Sequence, residues 1–138
     1  MGMTRAAQRA VLSELFGRTD VAEPATWYLA LFTVAPTNSG GGTECTGGSY
    51  VRKAVTNNTT NFPAAGGGDP ATSALAVAHT FASPTADWGT AVAWGLFDAS
   101  SAGTLWYWSM LETPRVINNG DAAPSFAANE LSFTQTGV

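Results

Sequence analysis

Cysteine and histidine, on which many catalytic and metal sites depend, are nearly missing from this sequence. Among 138 residues there is one cysteine, Cys45, and one histidine, His79. A single thiol cannot form an internal disulfide bond, and the two side chains together are too few for a zinc site. The acidic residues are not clustered in the way that a calcium or magnesium site requires. We therefore expect no metal, no cofactor and no catalytic residue.

Both lone side chains also lack the neighbours that a reactive group needs. His79 falls in an alternating run with apolar residues on its own side, which favours a core or interface histidine over a catalytic base. Cys45 lies in a glycine-rich loop with no nearby cation to lower the pKa of its thiol. We expect a spare, exposed thiol there, and the sequence does not predict an enzyme.

Charge is scarce as well, since 12% of the residues are charged against roughly a quarter in ordinary globular domains. Residues 1–18 hold three arginines and one glutamate, a net +2, whereas the remainder has three basic and nine acidic residues, a net −6. This asymmetry is too small for the basic patch that nucleic-acid binding requires. A surface made of uncharged polar residues instead favours packing against other protein.

Long hydrophobic runs are missing too. No apolar run approaches the roughly 18 residues of a membrane-spanning helix. The first ten residues lack the apolar segment of a signal peptide. We expect no membrane partner and no export.

Aromatic residues, in contrast, are concentrated in one stretch. Residues 87–111 hold four of the five tryptophans in two strand-like runs joined by a loop at 98–103. In the first run the larger side chains of Val92, Trp94 and Leu96 alternate with small residues. The second run, 105–111, is apolar on both faces, which predicts a central strand buried on two sides. We expect this hairpin to be the nucleus of an all-β core.

The tryptophans have a second interpretation. A row of exposed aromatic rings can stack on sugars, and Trp88, Trp106 and Trp108 are the candidates for such a carbohydrate platform. The alternation of the hairpin favours a hydrophobic core instead, so the sugar site stays an alternative.

Turn signals divide the rest of the chain into further short runs with strand periodicity. With the hairpin they give seven or eight strands after one N-terminal α-helix, which predicts an all-β fold, an antiparallel β-sandwich or jelly roll. We expect a helical arm and linker over 1–24 and a β-sandwich domain over 25–138. The other predicted strands are 27–34, 50–56, 74–81, 115–117 and 131–134.

Residues 4–16 have the periodicity of an amphipathic helix, with Thr4 as its N-cap and Gly17 at the position of a left-handed C-cap. Such a helix is marginal alone in water, so its apolar stripe must pack on the β-body or on another molecule. We favour docking or packing between subunits. The candidate assembly contacts are Arg5, Arg9, Val11, Leu12, Leu15, Phe16 and Arg18.

Two glycine-rich stretches, 38–48 and 57–71, lie between the predicted strands. Because glycine leaves the backbone free, we expect these loops to hold almost no fixed conformation without outside contacts. Together with the helix, they suggest a chain that becomes ordered against its neighbours in an assembly.

Several segments in combination resemble a family of tailed-bacteriophage virion proteins, labelled tail-fibre-like or capsid decoration (cement) proteins. The resemblance covers nearly the whole chain, and the sequence departs from it at Cys45 and at 122–124. The segments that carry it are YLALFT at 28–33, APT at 35–37, GGGTE at 40–44, GGSY at 47–50, Arg52, DWGT at 87–90, WGLFD at 94–98, NGD at 119–121 and FAA at 126–128.

The resemblance implies a structural role in the virion and no catalysis. From it we expect a capsid decoration protein that binds the outside of the shell, with the major capsid protein and copies of itself, as a homotrimer, for partners. It would be made in the cytoplasm of the bacterial host. The alternative is a tail or tail-fibre component that contacts the host surface or glycans, and a third, weaker class is a hydrolase of the cell envelope.

Overall fold

The computed structural model describes residues 2–17, 19–68 and 70–135. One helix and ten strands form in these ranges, and four of the strands are only two residues long. In chain order the elements are β1 (Gly2–Met3), α1 (Arg5–Leu15), β2 (Thr26–Val34), β3 (Thr43–Glu44), β4 (Lys53–Thr56), β5 (Ala71–Ala74), β6 (His79–Thr80), β7 (Gly89–Phe97), β8 (Leu105–Ile117), β9 (Ser125–Phe126) and β10 (Ser132–Gln135).

The helix begins and ends where the sequence predicts. Thr4 has an extended backbone, and its side chain accepts a hydrogen bond from Ala7 N, which satisfies one of the free donors of the first turn. Gly17 follows the helix with a φ of +63°, a conformation that costs glycine little. α1 is neither long nor apolar enough to cross a membrane.

A main antiparallel sheet organises the fold. Its strands follow the neighbour order β1-β8-β7-β2-β3, and β4 pairs with the first half of β2. β2 is central as predicted, with Leu29, Ala30, Leu31 and Phe32 all buried. β7 and β8 form the predicted hairpin, joined by the loop after Phe97.

Two short ribbons, β5 with β10 and β6 with β9, lie over one face of the main sheet. Their apolar residues and the adjoining loops meet Leu29 and Leu31 of β2 and Trp94 and Leu96 of β7 in the larger core. A smaller core on the other face of the sheet centres on Phe32. The side chains that the covering layer contributes to the larger core include Leu75, Phe81, Phe126, Leu131 and the partly buried Phe133.

The predicted fold class is confirmed, since the chain is mostly antiparallel β-structure preceded by one helix. The layer opposite the main sheet consists of two separate ribbons, so the two layers do not close into one continuous sandwich. Most of the predicted strand at 74–81 is wrong, since only Ala74, at the end of β5, and His79–Thr80, in β6, lie in strands. The predicted strand at 50–56 is shortened to β4.

The prediction that the second hairpin run is buried on both sides is wrong. β1 pairs only with Trp108 and Tyr107, and Met110 just beyond them is 53% exposed. A register shift between Ala91 and Ala93 also moves Val92 to the Phe32 side of the sheet, away from Trp94. Alternation of apolar residues predicts two covered faces only while the register is regular and a neighbouring strand continues.

The glycine-rich stretch at 38–48 does not need an outside partner to take a fixed shape. Cys45 is buried in the larger core, and its N–H donates to Leu31 O. Gly47, with a φ of +142°, lies directly against the backbone of Asp87. Glycine here permits a close approach between two parts of the chain, and the neighbouring contacts remove the flexibility that composition alone suggests.

Candidate functional site

The start of the N-terminal segment is built into the sheet. β1 pairs with Trp108 and Tyr107, and the buried Thr4 Oγ1 donates to Leu105 O at 2.7 Å. Arg5 N donates to Asn38 O on the neighbouring loop. The first turn of α1 therefore has a fixed position and direction relative to β8. The boundary between a helical arm and linker over 1–24 and a β-sandwich domain over 25–138 stays a prediction.

The far half of α1 is different, because its apolar side chains face solvent. Ala7 is buried and Val11 is half-buried against the body, but Leu12, Leu15 and Phe16 are 56%, 72% and 67% exposed. Arg5 and Arg9 are exposed as well. Of the predicted assembly contacts, five thus lie in α1 and Phe16 is its C-cap residue, whereas Arg18 lies outside the described residues.

A groove of about 360 Å³ runs beside the helix. Val11 and Leu15 line one side of it, and Trp27 and Trp106 line the other with ring centroids 5.9 Å apart. Glu14 and Glu23 add two carboxylates to the wall. This groove is not predictable from the sequence, because Trp27 falls in a predicted strand and nothing in its spacing links it to Trp106.

Within the part of the chain that the structure describes, Arg52 makes the most side-chain hydrogen bonds, and its side chain is 6% exposed. Its guanidinium donates twice to Glu44, at 2.9 and 2.8 Å, and once each at 2.8 Å to Ala99 O and Ala102 O. It also lies 3.6 Å from the centroid of the Phe97 ring. This arrangement ties the β7–β8 loop to the glycine-rich loop before β4.

Tyr50 completes the same cluster from the other side. Its hydroxyl donates to Glu44 Oε1 at 2.8 Å and accepts from Leu31 N. Burial raises the pKa of Tyr50 far above its usual value, so the phenol stays protonated. Several motif residues that carry the family resemblance thus meet in a structural clamp whose polar groups are already bonded to one another.

The two lone candidates for chemistry are both core residues. Burial, with a smaller contribution from the Glu44 charge, raises the pKa of Cys45 to about 11, which leaves an unreactive thiol. The expectation of an exposed thiol is wrong, because the residue next to Glu44 turns inward. His79, in β6 of the covering layer, is also buried, as the core interpretation predicts. Among the described residues no three His, Cys, Asp or Glu side chains form a group that could hold a metal ion.

The tryptophans of the hairpin do not form a row. Trp88 is buried and its Nε1 donates to Gly48 O at 2.8 Å. The half-buried Trp106 and Trp108 donate to different partners, Asp98 Oδ2 and Asn38 Oδ1. A carbohydrate platform made of these three rings is therefore wrong, since one ring belongs to the core.

Anchoring of the helix can be tested at Thr4. Thr4→Val keeps the shape of the side chain but leaves Leu105 O and Ala7 N without the Oγ1 partner. We expect a loss of about 1–2 kcal/mol in the free energy of unfolding, measured by urea denaturation. Thr72→Val is the matched control, because the Thr72 hydroxyl is exposed and makes one long bond of 3.4 Å. Equal stabilities of the two variants would contradict the anchor.

Acid stability can be tested at His79. Burial, and then the charge of Lys53, lower the pKa of the folded histidine below its ordinary value of 6.5, and Nε2 has no hydrogen-bond partner. The unfolded chain therefore binds a proton that the folded chain does not, and stability falls as the pH drops below 6.5. We expect stability to fall less steeply with pH in His79→Leu than in the wild-type chain below pH 6.5, measured by urea denaturation at several pH values. Parallel pH profiles for the two proteins would show that the histidine is not responsible.

Over residues 2–134 the chain is similar to a family whose model is described as podophage GP4 fiber I protein gp80. No curated protein matches the chain. The expected membership in a bacteriophage virion family is confirmed. The expectation of a capsid decoration protein is wrong, because the matching family is one of fibre proteins and supports the fibre alternative.

Proposed function

The chain belongs to the podophage GP4 fiber I protein gp80 family, and we propose that it is a non-catalytic structural subunit held in the virion fibre by the exposed face of α1. The absence of catalysis is supported by the two core residues. Cys45 and His79 are both buried, and the thiol pKa is raised, so neither can meet a substrate as a nucleophile or a base.

One observation carries the docking role. Leu12, Leu15 and Phe16 are each more than half exposed on a helix whose first turn is fixed in the sheet. A packed helix normally buries its apolar side chains, and a continuous exposed apolar patch marks a binding surface. Because Thr4 and β1 fix the helix, these side chains cannot turn inward to the body without breaking the anchor.

The partners of this face are other fibre subunits, including copies of the same chain. Because only 12% of the residues in the chain are charged, its surface favours protein contacts over hydration. Homo-oligomers adopt closed symmetry, and a homotrimer with one such contact per subunit is the arrangement that we propose.

Contact with host glycans is the second candidate. The groove between α1 and the Trp27–Trp106 pair offers aromatic faces together with the carboxylates of Glu14 and Glu23. Such a combination can stack on a sugar ring and accept bonds from its hydroxyls. Titration of host surface polysaccharide into the chain, followed by tryptophan fluorescence, would give saturable quenching that Trp27→Ala abolishes.

Incorporation into particles tests the docking role. The triple variant Leu12→Ser, Leu15→Ser and Phe16→Ser removes the apolar face without touching the Thr4 anchor. We expect normal thermal unfolding of the isolated chain but at least a tenfold loss of the protein from purified virions. The control is Val51→Ser, another exposed apolar residue, at 64%, away from the helix. Virions that retain the triple variant at full occupancy would refute the proposal.

A further inference from the structure

The outer edge of β8 is partly uncovered. β1 pairs with Trp108 and Tyr107, and in the part of the chain that the structure describes no strand continues beside Ser109 and the residues after it. Glu112 and Pro114 stand along this edge, and a charge and a proline are the usual means of preventing strand-to-strand aggregation. An uncovered edge that rejects a strand can still be covered by a helix.

A cleft of about 560 Å³ opens at the same edge, between the second half of β8 and residues 126–132. The apolar side chains of Trp94, Phe126 and Leu131, each almost fully buried, lie at its floor, while much of its exposed wall is polar. Glu112 and Glu130, both exposed, stand on its rim. The cleft lies where a register shift in the β7–β8 ladder leaves 111–114 without regular pairing.

The exposed face of α1 has the opposite character. Arg5, Arg9, Leu12 and Phe16 are spaced to share one side of a helix, so that two cations precede two large apolar side chains. Neither arginine takes part in a salt bridge within the described residues. This face thus offers positive charge and apolar surface where the cleft offers negative charge and an apolar floor.

We propose that α1 of one copy docks in this cleft of a second copy, with Arg5 and Arg9 opposite Glu112 and Glu130 and with Leu12 and Phe16 against the floor. The contact forms between copies because β1 and Thr4 hold each helix at the Trp106 end of its own β8. The inference rests on the proposed function and names the partner of the helix face.

Such a contact joins two different surfaces, which makes it heterologous. Heterologous contacts close into rings when the rotation between subunits permits, and otherwise they extend into filaments. In a homotrimer, each copy inserts its helix into the cleft of one neighbour and receives the helix of the other. Every helix face and every cleft is then occupied. The arginine–glutamate pairs lie at the rim of the contact, so added salt should weaken the assembly.

Charge reversal tests the contact, with the molar mass in solution as the measurement. The pair Arg5→Glu and Arg9→Glu, and separately Glu112→Lys, should each weaken self-association at least tenfold. The chain that carries all three changes should recover part of it, because position 112 again faces an opposite charge, whereas Glu130 then faces a like charge. Glu112→Lys is used without a change at Glu130, since Glu130 also accepts a bond from Ala127 N. Asp20→Lys makes the same charge change away from the cleft and should have no effect.

The outcomes separate this inference from the proposed function. If Glu112→Lys associates like the wild-type chain while the triple apolar variant of the helix is lost from virions, the helix docks on a different fibre protein and the cleft is not its site. A wild-type chain that stays monomeric up to millimolar concentration would also overturn the inference. Full assembly of every helix variant, in solution and in virions, would overturn both proposals.

Discussion

Arg52→Ala is expected to lower the free energy of unfolding by roughly 3–5 kcal/mol, because it leaves a partly buried glutamate and two loop carbonyls without their partner. Glu44 is 25% exposed at its side chain, so it cannot recover full hydration. For a chain of this size the change corresponds to a fall of roughly 10–15 °C in melting temperature. Calorimetry or urea denaturation gives the value.

Two control variants show whether the geometry of the Arg52 hydrogen bonds or only its charge is responsible for the loss of stability in Arg52→Ala. Arg52→Lys keeps the charge but cannot donate two parallel bonds to Glu44 while reaching Ala99 O and Ala102 O. It should therefore lose more than half of the stability lost by the alanine variant. Arg115→Ala removes an exposed arginine with one 3.4 Å bond and should change stability by less than about 0.5 kcal/mol. Similar losses for Arg52→Ala and Arg115→Ala would show that the clamp does not stabilise the fold.

Gly47→Ala is expected to lower the free energy of unfolding by roughly 3 kcal/mol, the sum of backbone strain and overpacking. Its φ of +142° is unfavourable for a side chain, and an added Cβ would lie 2.6 Å from Asp87 O and 2.8 Å from Trp88 Cδ1. Either the glycine-rich loop or the segment before β7 must then move. The free energy of unfolding from denaturant titration measures the effect.

Gly41→Ala separates the two causes. Gly41 also has a positive φ, of +79°, but no atom lies within 4 Å of an added Cβ. Gly41→Ala should therefore lower the free energy of unfolding by only about 1 kcal/mol, from strain alone. If the two alanine variants were equally stable, the close contact of Gly47 with Asp87 would not hold the loop in place.

The parts of the fold that could be predicted depend on neighbours in sequence. The limits of α1 follow from Thr4 and Gly17, and the hairpin follows from two apolar runs around a polar loop. The end of β5 at Ala74 and the short β6 at His79–Thr80 could not be predicted, because each pairs with a strand more than 40 residues away. The uncovered edge of β8 could not be predicted for a similar reason, since a run of apolar residues does not show how far the neighbouring strand extends.

In the candidate site too, only the features that depend on local spacing were predictable from the sequence. The exposed stripe of α1 was predictable from its period, and the choice of Leu12, Leu15 and Phe16 needed no tertiary contact. The acidic cleft was not predictable, because Glu112 and Glu130 are brought together by a bulge and a chain reversal. The location on the capsid was wrong because it came from a family label that also includes fibre proteins, and the residues themselves do not distinguish the two.

Location on the intact virion tests the central claim most directly. Antibody fragments against the β-body, imaged on purified particles by electron microscopy, should bind at the fibres and leave the head shell bare. A matched particle with the triple serine variant of α1 should show little label. Uniform label over the head, with none on the fibres, would contradict the assignment of this chain to the virion fibre.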